Sequence, residues 1–213
     1  MKDLVIIGAG GFGRETLTIL KELNKEKPQW NVLGLVDDNV KQTVEGYQVL
    51  GDLEWFLNLD PKPYFFVAIA DSHTRERIAN RCKAAGFQAA TLICGGPLQV
   101  IAESAEIGEG CYIGRNCGIM ANVKIEPFAV IQAKSVLGHD TRVGAYTSMM
   151  AEGYVSGSNI GKHCYFGLRC TVVNYVNIAD ECTFGACSCI VKDATVPGTY
   201  VGVPAKLIKP LQK

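Results

Sequence analysis

The chain has 213 residues, 21 Lys+Arg balanced by 21 Asp+Glu, 48% hydrophobic residues and nine cysteines. At roughly 100–200 residues per domain this allows one large or two small domains, and zero net charge removes the bulk electrostatic case for nucleic acid or an anionic membrane surface as partner. The longest clear apolar run, Tyr64 to Ala70, falls well short of the ~18 residues of a membrane span, and the amino terminus enters a strand-like run without a cleavable signal pattern.

Up to about residue 93 strand and helix patterns alternate. Leu4 to Ile7 reads as a short buried strand, Gly8-Ala9-Gly10-Gly11-Phe12-Gly13 as a loop, and Arg14 to about Asn24 as a helix. A second strand, Asn31 to Val36, stops at Asp37-Asp38-Asn39. A third, Tyr64 to Ala70, stops at Asp71-Ser72 and precedes a helix over Thr74 to Ala85, ended by Gly86. This alternation predicts βαβ units, a parallel sheet and a small Rossmann-like half-domain.

From residue 101 the period is six. Apolar residues begin successive steps at Ile101, Ile107, Ile113, Ile119, Ile125, Ile131, Leu137, Val143, Met149 and Val155. After one step of five they resume at Ile160, Phe166, Val172, Ile178, Phe184, Ile190 and Val196, and a second short step leads to Val201. At 48% apolar composition, 18 apolar starts arise by chance about twice in a million, so this is a repeat array. Four residues past each start, 15 of 17 positions hold Ala, Cys, Val, Ser, Thr or Gly; the exceptions are Asn159 and Tyr200. Glycine, read as a turn-permissive residue, often follows the start, as at 108, 114, 138 and 144. A large, a permissive and a small residue in each six suit a triangular β-coil whose stacked turns bury one continuous core.

Five cysteines, Cys111, Cys117, Cys164, Cys170 and Cys182, occupy the small-residue slot. Cys187 and Cys189 flank that slot, and Cys82 and Cys94 fall outside the array. Their spacings match no usual zinc pattern, so they read as small packing residues of a reducing compartment, with no metal site expected.

Gly8-x-Gly10-x-x-Gly13 lies between a predicted strand and a predicted helix, where backbone N–H groups and the helix terminus can meet a phosphate. Asp37 ends the next strand, placed like a carboxylate that accepts a ribose hydroxyl. A packed glycine turn with no ligand is the alternative. A half-domain of this length suits one nucleotide better than a dinucleotide. Of the three histidines, His163 sits in a polar slot and reads as an exposed surface residue, while His73 follows the third strand. His139, two residues past a start, stands near a coil corner beside Asp140. Histidine suits proton removal near neutral pH, and a carboxylate can set its tautomer. Neighbours on a strand point oppositely, so Asp140 reaches His139 only where a corner breaks the alternation.

The hexads resemble the left-handed parallel β-helix of hexapeptide acyltransferases, three hexads per coil, making about six coils. With GAGGFG, VDDN at 36–39, VLGDL at 49–53, VAIADSHTR at 67–75, GHD at 138–140 and VGVPAK at 201–206, the chain resembles the bacterial sugar acyltransferases of the sialic acid O-acetyltransferase type over nearly its full length. That family includes N-acetyltransferases acting on UDP-4-amino sugars. The resemblance implies a homotrimer with His139 as general base and Asp140 as its acid partner. It implies a nucleotide sugar held by Gly10, Gly11, Phe12, Asp37, Asp38, Ala70 and His73. It places acetyl-CoA between subunits, near Ser148, Leu168 and Ala186. Three residues depart from the family pattern: Ser148 replaces a second histidine, Phe12 a histidine, and Gln132 an asparagine.

The expected organisation is a Rossmann-like nucleotide-sugar domain at 1–93, a β-helix at 94–203 and a tail at 204–213. The expected activity is acetyl-CoA-dependent N-acetylation of a nucleotide-activated amino sugar in the cytoplasm, by direct attack in a ternary complex, with corner N–H groups as oxyanion donors. Two alternatives remain open: O-acetylation of a sugar such as sialic acid, and a non-catalytic trimeric nucleotide-binding scaffold. An NAD-binding regulator is disfavoured by the half-size nucleotide domain.

Overall fold

The computed structural model describes residues 1–211, which form two compact units divided between Thr91 and Leu92, two residues before the expected boundary.

The first unit is a four-stranded parallel sheet. Its elements run β1 (Lys2–Ile7), α1 (Gly11–Glu26), β2 (Trp30–Val36), β3 (Val49–Gly51), α2 (Leu53–Leu57), β4 (Tyr64–Val67) and α3 (Ser72–Ala84). The strand order β3-β2-β1-β4 puts β1 between the strand that follows it and the last one. The chain therefore builds outward on one side of β1 and then crosses to the other, and the crevice at the carboxyl ends of β1 and β4 is a topological switch point. Leu4, Val5, Ile6, Leu17, Leu20, Phe65 and Phe66 are buried, as expected for a sheet covered on both faces.

Several local expectations shift. Helix α1 starts at Gly11 instead of Arg14, with Gly10 as its N-cap, because Gly10, Gly11 and Gly13 all keep ordinary negative φ. Of this loop only Gly8 is left-handed, at φ +109°. The third strand ends at Val67, three residues early. The carbonyls of Ile69 and Ala70 leave the ladder and accept from Nη1 of Arg75 at 2.8 and 3.0 Å. Helix α3 begins two residues early because Asp71 caps it, accepting from Thr74 N at 2.7 Å. The elements β3 and α2, at three and five residues, are too short to show periodicity.

The second unit is a left-handed parallel β-helix. Its rungs are mostly two-residue strands, each ending on a hexad start, and they stack into three faces. The first face carries pairs such as Val130–Ile131 and Ser148–Met149, the second Val136–Leu137, the third Arg142–Val143. Most rungs pair eighteen residues apart, as Val130 with Ser148; the spacing is seventeen across the step from Val155 to Ile160, where Ser148 pairs with Tyr165, twenty at the first rung, Leu92 with Tyr112, and sixteen at the last, Phe184 with Tyr200. The interior is one apolar column per face; on the first, Phe166, Phe184 and Tyr200 stack at centroid spacings of 4.8 and 5.2 Å.

The array starts one rung earlier than expected, at Leu92–Ile93, and takes in Cys94, whose N–H donates to Ile113 O. Its last two starts are misframed. Val196 and Val201 are exposed; Ala194 bridges to Ile178 and Tyr200 pairs with Phe184 in their place. Counted back from each interior residue, the small slot is two before it, so Ser158 and Gly198 fill it where Asn159 and Tyr200 stood as exceptions. The tail expected from residue 204 contains a strand, Lys206–Pro210, antiparallel to Gly198–Val201; residues 212–213 of that range lie outside the described residues.

Gly202 apart, whose φ is +102°, the glycines after the starts are not the turn formers. The left-handed residue sits three past the start, at Asn116, Asn122, Phe128, Lys134, Asp140 and Tyr146 among others, with φ near +60°. Such residues are strained by about 1–2 kcal/mol each, and coil-to-coil hydrogen bonds such as Asp140 N to Ala121 O at 2.9 Å hold them in place. Glycine is needed for spacing: at Gly144 a Cβ would come within 2.5 Å of Gly161 C and Lys162 N in the next coil.

All nine cysteines are free, and seven are buried. Burial pushes the thiols of Cys82 and Cys117 up to about 12 and about 11, and the hydrogen bond with Cys182, with burial, raises Cys164. These thiols stay protonated near neutral pH, as packing residues and not nucleophiles.

Candidate functional site

In the first unit the switch-point crevice is bordered by the glycine loop after β1 and the Ala68–Asp71 loop after β4. The two loops touch closely: a Cβ on Gly8 would meet Ala68 O at 2.8 Å and Ile69 Cγ1 at 2.9 Å. Gly13 allows α1 to close on β1, since a Cβ there would lie 2.1 Å from Gly8 O. Gly10 and Gly11 are exposed, and no atom lies within 4 Å of a Cβ placed on Gly10, so a ligand can approach this backbone at the amino end of α1. Phe12 packs edge-on to Phe66 at 6.0 Å. Ala70 and His73 are exposed on the β4–α3 side.

The expected acid pair divides its work. Asp37 Oδ2 accepts from Ala9 N at 2.8 Å, and Oδ1 accepts from Asn39 N and Val40 N at 2.9 Å each. Burial pushes this carboxyl up, but the donors from Ala9, Val40 and Asn39, with the Lys41 charge, outweigh it and hold it below the usual range. Asp37 therefore ties the glycine loop to the end of β2. Asp38 accepts from Leu53 N at 3.1 Å, fixing the start of α2. Asp71 is also held low, by the Thr74 side chain and backbone N–H.

In the second unit His139 and Asp140 occupy the edge joining the second and third faces. The left-handed φ of Asp140, +58°, breaks the strand alternation, so Oδ2 reaches His139 Nδ1 at 2.8 Å. Both side chains are roughly half exposed, 52% and 59%. The hydrogen bond to His139, then that from Asn122, holds the Asp140 carboxyl low. An ionised acceptor at Nδ1 draws the ring proton there and leaves Nε2 as the base.

Leu168 and Ala186 are exposed, one coil apart on the edge between the first and second faces. Ser148 is buried on the first face, which lies opposite the edge of His139. A single chain thus brings Leu168 and Ala186 together, and His139 and Asp140 together, without joining the sets. His163, expected at the surface, is 8% exposed; its ring stacks on Tyr146 at 5.3 Å, which stacks on Phe128 at 5.4 Å. The sequence reading missed Asn122 and Arg75. Asn122 stands eighteen residues before Asp140, so the period alone points to it.

Known proteins are similar to this chain in sequence and fold. Residues 3–82 match the PglD N-terminal domain family. GDP-perosamine N-acetyltransferase of Escherichia coli is 31% identical over 156 residues, 70% of this chain and 70% of that protein. The chain belongs to the hexapeptide-repeat sugar acyltransferases. Within that family, a variant of perosamine N-acetyltransferase from Caulobacter crescentus, in complex with CoA and GDP-perosamine, matches with TM-score 0.88 and 27% identity over 97% of both chains. The acetyltransferase domain of PglB from Neisseria gonorrhoeae shares the fold, with TM-score 0.86 and 24% identity over 98% of this chain and 100% of that one.

Proposed function

We propose that the chain is an acetyl-CoA-dependent N-acetyltransferase acting on a nucleotide-activated amino sugar. The observation that carries this reading is the His139–Asp140 contact at an exposed coil edge, in a chain similar to two proteins named for perosamine N-acetylation. The sugar amine attacks the thioester carbonyl carbon while His139 Nε2 takes its proton. The tetrahedral adduct then expels CoA thiolate, which receives that proton from the imidazolium. Asp140 stays ionised and stabilises the imidazolium, as an acid partner in such a pair does. Backbone N–H groups at a coil corner serve as oxyanion donors.

The switch-point crevice holds the nucleotide sugar, with its diphosphate at Gly10, Gly11 and Phe12 and the remaining contacts from Asp38, Ala70 and His73. Asp37 acts there as much by shaping the loop as by touching ribose. Acetyl-CoA lies along the exposed Leu168 and Ala186, while the buried Ser148 is withdrawn from that edge. The assembly is read as a homotrimer, which their separation supports: residues assigned to CoA and to the base sit on different edges of one β-helix, and a neighbouring copy would unite them. No described helix is long and apolar enough to cross a membrane, and we place the enzyme in the cytoplasm, with its co-substrate.

The test is CoA thiol release from acetyl-CoA with GDP-, UDP- and dTDP-linked 4-amino sugars, beside free sialic acid. Turnover of an amino sugar that is lost in His139→Ala supports the proposal. Turnover unchanged in that variant refutes the base. Acetylation of sialic acid alone makes the enzyme an O-acetyltransferase, and firm nucleotide-sugar binding without turnover makes it a scaffold.

A further inference from the structure

We propose that Asn122 is a positioning residue for the base, its side-chain amide holding the Asp140 carboxylate in the orientation that sets the His139 tautomer. The argument rests on His139 acting as the base. Ser104, Asn122 and Asp140 occupy the same corner position in three consecutive coils, eighteen residues apart. The Asn122 backbone N–H donates to Ser104 Oγ at 3.0 Å, and its Nδ2 donates to Asp140 Oδ1 at 3.0 Å. Asp140 Oδ2 is then left facing His139 Nδ1 at 2.8 Å. The two carboxylate oxygens are divided between two partners, so the group cannot swing without breaking one contact.

The need for such a clamp follows from exposure. A half-exposed carboxylate with one partner rotates readily and trades that partner for water; a second donor from a stacked coil removes this freedom. The backbone on both sides is already fixed, by Asp140 N to Ala121 O and Gly157 N to His139 O, each at 2.9 Å. Only the side-chain torsions remain to be set, and Asn122 sets those of Asp140. Asparagine is also suited to the corner itself, where φ is +59°.

The experiment compares Asn122→Gly and Asn122→Asp with the parent chain. Glycine removes the amide at a left-handed corner without backbone strain; aspartate keeps the shape but sets carboxylate against carboxylate. With acetyl-CoA and a GDP-linked 4-amino sugar, kcat is expected to fall about tenfold in Asn122→Gly and further in Asn122→Asp. Both KM values should stay within about twofold, as expected of a residue that acts through Asp140 and is assigned no substrate contact. The 15N NMR signals of the His139 ring should shift from a mainly Nδ1-protonated form toward a mixture. Unchanged kcat and tautomer in Asn122→Gly, or a KM rise without loss of kcat, overturns the proposal. If the parent chain transfers no acetyl group, the reading of the site fails on its own, and the ring signals still decide whether Asn122 orients the pair.

Discussion

Replacing Arg75 by Met tests whether a buried cation shapes the nucleotide crevice. Arg75 is 1% exposed, the largest fully buried side chain, and it lies on the first turn of α3. Its Nη1 spans the carbonyls of Ile69 and Ala70, holding the β4–α3 loop against Gly8. Methionine fills much of the volume without a donor. Each hydrogen bond from a charged group is worth about 1.5–3 kcal/mol, but Ile69 and Ala70 are partly solvated, so water recovers part of the loss. The net effect is about 1–3 kcal/mol of local stability, which allows the loop to open between roughly 5 and 150 times more often. Amide hydrogen exchange over residues 68–71 should accelerate in that range. Steady-state kinetics should show KM for the nucleotide sugar rising about five- to twentyfold, with KM for acetyl-CoA and kcat little changed. Exchange at the parent rate, or equal increases in both KM values, would refute the reasoning.

Asp37→Asn should destabilise the first unit at neutral pH, because an amide supplies a single acceptor oxygen for the donors of Ala9, Asn39 and Val40. The folded Asp37 carboxyl lies below its unfolded value of about 3.9, so its stabilisation is present above that pH and fades as pH falls through the folded value. Urea midpoints of parent and variant should therefore differ at pH 7 and converge below about pH 4; a constant gap would contradict this role. The glycine loop offers a paired test: Gly13→Ala should cost at least about 1–3 kcal/mol by driving Cβ into Gly8 O, whereas Gly10→Ala should change stability by under about 1 kcal/mol and raise KM for the nucleotide sugar. Equal stability of the two variants in thermal unfolding would show that the close approach at Gly13 is not limiting.

The hexads were legible because each interior residue serves the same geometry in every coil, so composition repeats with position. Legibility failed where two residues satisfy one pattern. Val196 and Val201 are apolar at the right count, yet the packing above Ile178 takes Ala194 and the column above Phe184 takes Tyr200. Glycine directly after the start residue reads as a turn former from spacing alone, whereas its role is close approach between coils. Its role there depends on the distance to the next coil, which one-dimensional spacing does not contain. At the candidate site, His139, Asp140 and the glycine loop were visible as residue types in context. Asp37 as a loop tie, and the clamps made by Arg75 and Asn122, depend on side-chain direction. Only the eighteen-residue column hinted at the last.

The shortened step between Val155 and Ile160 changes the surroundings of His139, the proposed base. Below the edge that carries His139, Ala121 corresponds to His139 and Asn122 to Asp140. Above it, the turn Ser156-Gly157-Ser158 has one residue fewer: Ser156 stands over Gly138, and Gly157 continues from Asp140. The missing residue is the one that would have stacked over His139. His139 thus has Ala121 as its counterpart in the coil below and no counterpart in the coil above. Inserting one residue there would even out the stack and put a side chain in the path of an incoming amine. The irregularity that interrupts the repeat is therefore what leaves the coil position above His139 empty of a stacked residue.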